Sequence, residues 1–209
     1  MNPRFDRHAA ALLFALLLIA AVSALRPFSA MCADVRANTL RLHIVAASDS
    51  EADQRRKLLV RDAVLAKYGP ALAEAGCIGE AQEAVLRLSG EIAETARETL
   101  RAAGSDEPVT AAVTEMFFDT AAYESGVRMP AGRYRALRLT IGAGQGHNWW
   151  CVLYPPLCLP AASPEALKMP DGLRVQALNG EEKLVMKLAA VELFERVRGA
   201  LRGPADTFA

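Results

Sequence analysis

Apolar and polar residues alternate across Leu40 to His43, and the chain then stays apolar from Ile44 to Ala47. This pattern predicts a strand with one end buried. Ser48-Asp49-Ser50 ends the run and supplies helix N-cap side chains, with Asp49 read most simply as a cap. Ser48 with Glu51, or Ser50 with Asp53, has the offset of a capping box or its near relative. A helix is expected over about Glu51 to Tyr68, with Leu59, Ala63 and Val64 as its core stripe and Gly69-Pro70 as its stop. In a second helix, about Gly79 to Ala103, Ala81, Val85, Leu88, Ile92, Ala96 and Leu100 recur on one face, and Gly104 follows as C-terminal cap. Val109 to Phe118 and Arg133 to Ile141 read as strands, the latter after a turn at Met129-Pro130-Ala131-Gly132. Trp149 to Tyr154 is another β-like run, stopped by Pro155-Pro156. Residues 160–180 read as a loop, and a last amphipathic helix covers about Glu181 to Leu201 with Leu184, Leu188, Val191 and Phe194 on its buried side. The order β-α-α-β-β-β-α predicts an α+β fold, a mainly antiparallel sheet packed with amphipathic helices.

The N-terminus follows a different pattern. Met1 to His8 carries Arg4 and Arg7 against a single Asp6, and Ala9 to Leu25 then contains no charge. A basic start followed by such a stretch is what a secretion machinery inserts, positive end inside. Val22-Ser23-Ala24 and Met31-Cys32-Ala33 are candidate cleavage sites. The alternative is an uncleaved anchor, because the apolar stretch sits at the lower limit for spanning a bilayer. Residues 1–33 are therefore expected to be a signal peptide or N-terminal membrane anchor, and residues 34–209 a single extracytoplasmic α+β domain.

Composition supports one domain and narrows its partners. The 209 residues are 52% hydrophobic, enough for one sizeable core. With 24 basic and 24 acidic side chains, there is no electrostatic reason to expect nucleic acid or an anionic membrane surface as partner. Membrane contact is expected only through the N-terminal segment.

Export changes what the cysteines mean. Cys151 and Cys158 flank Pro155-Pro156, which turns the chain back. Outside the cytosol such a pair can close a disulfide worth about 2 kcal/mol; two buried thiols, or a thiol used in intermolecular exchange, are the alternatives. Cys77 is expected to be a small buried hydrophobe, and Cys32 to be removed or to lie in the N-terminal segment. With His43 and His147 as the remaining histidines, no metal or other cofactor is expected.

Gly142-Ala143-Gly144-Gln145-Gly146 lacks the helix N-terminus that a phosphate-binding loop needs, and reads as a flexible hairpin connection. A thiol hydrolase built on His147, Asn148 and Cys151 would need the imidazole against the sulfur, yet residues four apart on a strand lie about 13 Å apart. His43 reads as a buried, hydrogen-bonded strand residue and Arg61 as a partner of Asp49 or Asp62. A Ser48/His43/Asp49 grouping lacks a nucleophile elbow, so no catalytic residue is assigned. Trp149 and Trp150 point to opposite faces of their strand, one to pack in the core and the other at least partly exposed, there either packing alone or anchoring a protein partner.

Two blocks of sequence resemble one family. Arg41-Leu42-His43-Ile44-Val45-Ala46-Ala47-Ser48-Asp49-Ser50, with Asp53-Gln54 and Lys57 to Val64, is similar to the opening signature of stage II sporulation protein R. Pro130 to Tyr134, then Gly144-Gln145-Gly146-His147-Asn148-Trp149-Trp150-Cys151 through Pro155-Pro156-Leu157-Cys158, resembles the same family in the same order. Ala47 stands where the family pattern has an asparagine. The resemblance implies a non-enzymatic signal secreted by the forespore into the space between forespore and mother-cell membranes. There it would bind the extracytoplasmic part of a membrane-bound aspartic-type protease and activate cleavage of the precursor of the early mother-cell sigma factor. The candidate partner-binding residues are Trp149, Trp150, Asn148 and His147, with Ser48 and Asp49 as second choice. The rival readings are an exported hydrolase using Cys151 or His43, and a purely structural envelope protein.

Overall fold

The computed structural model describes residues 3–123, 128–155 and 182–202. Strand β1 (Leu40–Val45) is buried along its whole length because it lies inside a sheet covered on both faces. The other strands are β2 (Val109–Phe118), β3 (Ala121–Ala122), β4 (Arg128–Met129), β5 (Gly132–Ile141) and β6 (Asn148–Tyr154). The four-stranded sheet has the order β2-β5-β1-β6, and β3 pairs with β4 in a separate ribbon. β2 runs antiparallel to β5, and β1 antiparallel to β6, whereas β1 and β5 are parallel. The fold is α+β with a mixed, mainly antiparallel sheet.

The helices are α1 (Pro3–Ala37), α2 (Glu51–Ala73), α3 (Ile78–Ala102) and α4 (Glu182–Arg202). α2 and α3 cover one face of the sheet. Leu40, Leu42 and Ile44 of β1 meet Val60, Val64 and Leu72 of α2 and Ala81, Val85, Ile92 and Leu100 of α3 in one core cluster. The apolar period predicted for α3 is the one the core buries, with Leu88 partly buried beside it.

α2 departs from expectation in two ways. It continues through Gly69-Pro70 to Ala73. An interior proline lacks an N–H and crowds the preceding turn, at a cost of about 3 kcal/mol. Burial of Tyr68 and Leu72 holds the last turn helical despite that cost. The buried stripe is Lys57, Val60, Val64, Tyr68 and Leu72; Leu59, expected in the core, is 48% exposed.

The opposite face carries the ring cluster of Phe118, Tyr134 and Trp150 together with Val35 of α1, Met129 and Val152. Farther out, Phe28 and Cys32 of α1 pack on Leu188 and Val191 of α4. Cys32 is thus a wholly buried part of the fold, and burial pushes its thiol up to about 11. Arg36 Nη2 pairs with Glu195 Oε1 at 3.0 Å and Arg36 Nη1 donates to Ala131 O at 3.1 Å, tying both helices to the start of β5. Phe194, expected on the buried side of α4, is 57% exposed, because the stripe through Leu188, Val191 and Glu195 faces inward instead. Cys77, expected to be buried, is exposed at the N-cap of α3.

Among the described residues no helix is long and apolar enough to cross a membrane. Several side chains of the uncharged stretch Ala9 to Leu25 lie outside those described, as do Leu184, Cys158 and the loop expected over 160–180.

Candidate functional site

The glycine-rich segment is not a hairpin. It joins β5 to β6, and β1 lies between them, so residues 142–147 must cross over the end of β1. There the segment meets the strand-to-helix turn. Gln145 N–H donates to Ala47 O at 3.2 Å and Gly146 N–H to Ala46 O at 3.0 Å. Two glycines permit this path. Gly144 has φ 62°, a left-handed conformation that side chains disfavour. A Cβ on Gly146 would collide with the Ser48 carbonyl.

Side chains then lock the crossing. Asp49 Oδ1 accepts the backbone N–H of His147 at 2.6 Å and also bonds its ring Nδ1. These bonds, the ring contact first, hold the Asp49 carboxyl below the ordinary carboxylate range. Lys57 Nζ reaches up from α2, donating to His147 O at 2.9 Å and to Gln54 Oε1 at 2.6 Å. Gln54 Nε2 donates to Ser48 O at 2.9 Å. Asp49 is therefore a clasp across the sheet end and not a cap. The N-cap is Ser50, whose Oγ accepts Asp53 N–H at 3.2 Å, while Ser48 Oγ donates to Asp53 Oδ2 at 2.6 Å. The Ser48 hydrogen bond in turn depresses the Asp53 carboxyl.

The two tryptophans part as their adjacency on β6 requires, and both are half-buried. Trp149 faces α2, packs against the main core, and has the Arg61 guanidinium carbon 5.1 Å from its ring centroid. Arg61 also pairs with Asp62 at 2.7 Å, which was one of its two expected partners. Trp150 faces the other way, with its ring 4.9 Å from Phe118 and 5.7 Å from His43, both edge-on. His43 is 3% exposed, and its Nε2 bonds Asn148 Oδ1 at 2.8 Å. Burial drives its pKa down, so the ring is neutral at neutral pH.

Beside it, Arg41 is wholly buried, with no carboxylate partner among the described residues. Nη2 donates to Tyr123 OH at 2.6 Å, and the guanidinium carbon lies 4.1 Å from the Phe118 ring centroid. A planar, weakly hydrated guanidinium can lie flat against aromatic faces, which a compact ammonium meets only as a point charge. Cys151 is disulfide-bonded, while Cys158 lies outside the described residues.

The crossing therefore unites Ser48 and Asp49 with His147 on one exposed edge, with Trp149 next along β6. The Asn148 side chain bonds His43 instead and belongs, with Trp150, to the opposite face. Lys57 and Gln54 were missed in the sequence. Lys57 occupies a stripe position in phase with Val60 and Val64, and a polar residue at such a position was the available signal.

A family profile described as stage II sporulation protein R matches residues 36–163. The chain belongs to that family. Within it, the stage II sporulation protein R of Bacillus subtilis (strain 168) is 38% identical over 130 residues, which is 62% of this chain and 58% of the relative. The chain thus matches somewhat over half of that relative's length. No solved structure matches. The family match covers all of β1 to β6 and stops short of α4, so it includes every residue of the clasp. A role connected with sporulation follows from family membership.

Proposed function

We propose that the protein is an exported sporulation signal. It acts by binding the extracytoplasmic part of a membrane-bound aspartic-type protease, and so promotes processing of the early mother-cell sigma-factor precursor. The observation that carries this reading is the clasp. Asp49 and His147 come from the two blocks that resemble the family, and they join on an exposed edge beside Trp149 and Arg61. A rigid, solvent-facing patch with an aromatic anchor and mixed charge suits a protein contact. A ligand of this kind activates only by binding one state of its receptor better than the other. Preorganising the patch reduces the ordering cost of binding.

The hydrolase reading finds less support. The Cys151 sulfur is held in a disulfide, so it offers no thiolate nucleophile. His43 has its Nε2 engaged by Asn148 and its ring enclosed by Phe118 and Trp150.

Precursor processing in a sporulating strain tests the proposal. A deletion is expected to leave the precursor uncleaved with the protease present. Secreted, folded Asp49→Ala and Trp149→Ala variants are expected to restore cleavage only poorly. Normal cleavage in the deletion strain would sink the signalling reading; normal cleavage with both variants would move the interface elsewhere.

A further inference from the structure

Strand β2 stands at one edge of the sheet, paired with β5 on its inner side and with no strand on its outer side among the described residues. One bond just before its start fixes its backbone phase. Gly142 N–H donates to Pro108 O at 2.8 Å, and these two residues continue the ladder that pairs Val109 with Ile141. Hydrogen-bonded and non-bonded pairs alternate along an antiparallel ladder. The N–H and C=O groups of Thr110, Ala112, Thr114, Met116 and Phe118 therefore turn toward β5, and those of Val109, Ala111, Val113, Glu115 and Phe117 turn outward. Val109 O, left free by β5, takes Arg97 Nη1–H at 2.8 Å, as that phase requires.

Edge strands are ordinarily guarded by lysine, proline, a bulge or shortness. β2 has 10 residues in an unbroken register, and its sequence, Val-Thr-Ala-Ala-Val-Thr-Glu-Met-Phe-Phe, contains neither lysine nor proline. Its one charge, Glu115, is already met by Arg133 at 3.1 Å. The outward groups of Ala111, Val113, Glu115 and Phe117 have no backbone partner among the described residues. They form a continuous template for another strand.

We propose that a second copy of this chain adds its own β2 to this edge, antiparallel about a two-fold axis at Thr114, so that two four-stranded sheets become one. The strand is complementary to itself in that register. Small side chains occupy its first half and large ones its second. Ala111 therefore meets the partner's Phe117, and Ala112 meets the partner's Met116. Thr114 faces the partner's Thr114 as a close, non-hydrogen-bonded pair whose hydroxyls can bond each other. Glu115 lies opposite the partner's Val113, which keeps the like charges apart. Neighbouring registers fit less well. An axis at Glu115 sets two carboxylates face to face, and one at Val113 sets Phe117 against Val109, whose carbonyl Arg97 already holds. This matching of size and charge is a property of β2 against itself, which selects a second copy over an unrelated strand.

The test is sedimentation velocity of the full chain from about 1 to 100 μM, in a mild detergent that covers the apolar stretch Ala9 to Leu25. Reversible dimerisation is expected within that range. Thr114→Lys and Thr114→Glu each place like charges face to face at the axis, and each is expected to weaken the dimer about tenfold or more. An equimolar mixture of the two is expected to recover it. Thr114 is only half-buried, so neither variant is expected to move the thermal midpoint. Ala111→Pro deletes an outward N–H that β5 does not use, and is expected to weaken the dimer with far-UV circular dichroism unchanged. Monomer at every concentration would overturn the proposal and leave the edge to an extended segment of another protein. A dimer undiminished by both Thr114 variants or by Ala111→Pro, or a mixture that associates no better than either variant alone, would also overturn it.

Discussion

Asp49 and His147, 98 residues apart, are joined twice through one carboxylate oxygen, once at the backbone N–H and once at the imidazole ring. Asp49→Ala removes both bonds and is expected to speed hydrogen exchange at the Gln145, Gly146 and His147 amides, leaving far-UV circular dichroism unchanged. Asp49→Asn keeps an acceptor oxygen and is expected to do less. The Asp49 carboxyl is depressed in the fold, so its contribution is present above the ordinary value of 3.8 and lost only as pH falls through the lower folded value. The three amides are therefore expected to stay protected from neutrality down to about pH 5. Exchange unchanged in Asp49→Ala would show that the backbone bonds alone hold the crossing.

Trp149 and Trp150 should separate binding from stability. Trp150→Ala removes a ring packed edge-on against Phe118 and His43, and is expected to destabilise by about 3–5 kcal/mol in urea unfolding. Trp149→Ala loses less packing and is expected to cost about 1–2 kcal/mol. Its larger effect should be on precursor processing. The opposite ranking of stabilities would contradict the assignment of faces.

His43 gives the fold a pH dependence. Its pKa is lowered by burial, so the unfolded chain takes up the proton near the ordinary value of 6.5 and the folded chain only below that. The unfolded state binds more protons in that window, so the stability from neutral His43 is complete above about pH 6.5 and declines as pH falls through it. Urea midpoints measured from about pH 7 to pH 5 are expected to drop less steeply in His43→Gln, which can still bond Asn148. Identical slopes would remove His43 as the cause.

Arg36 and Glu195 bear on where a leader can end. Both side chains are under 10% exposed, at 9% and 8%, so Glu195→Ala strands a buried guanidinium and is expected to cost about 3–5 kcal/mol. Removal of residues 1–24 leaves Phe28, Cys32, Val35 and Arg36 in place, and a folded domain is expected. Removal of residues 1–33 takes away Phe28 and Cys32 and is expected to loosen α4, read as proteolysis near Leu188. An exported form is accordingly expected to begin after Val22-Ser23-Ala24 and not after Met31-Cys32-Ala33. Edman sequencing of the secreted protein checks this.

Strand and helix periods were legible wherever burial is set by local repetition. β2 spans the predicted residues, and α3 buries the predicted stripe. Readings that depended on a partner from elsewhere were less secure. Leu59 and Phe194 lost core positions because helix rotation is chosen by the surface opposite. Asp49 looked like a cap because its true partner is distant in sequence.

By itself the sequence determined the α+β class, the spacing of the apolar faces and the two blocks that mark the family, all consequences of short-range periodicity and residue order. Tertiary structure alone decided that β1 would insert between β5 and β6. Strand order is a choice among long-range pairings that local pattern does not encode. That insertion sends the glycine segment over Ala46 and Ala47, and so brings Asp49 to His147.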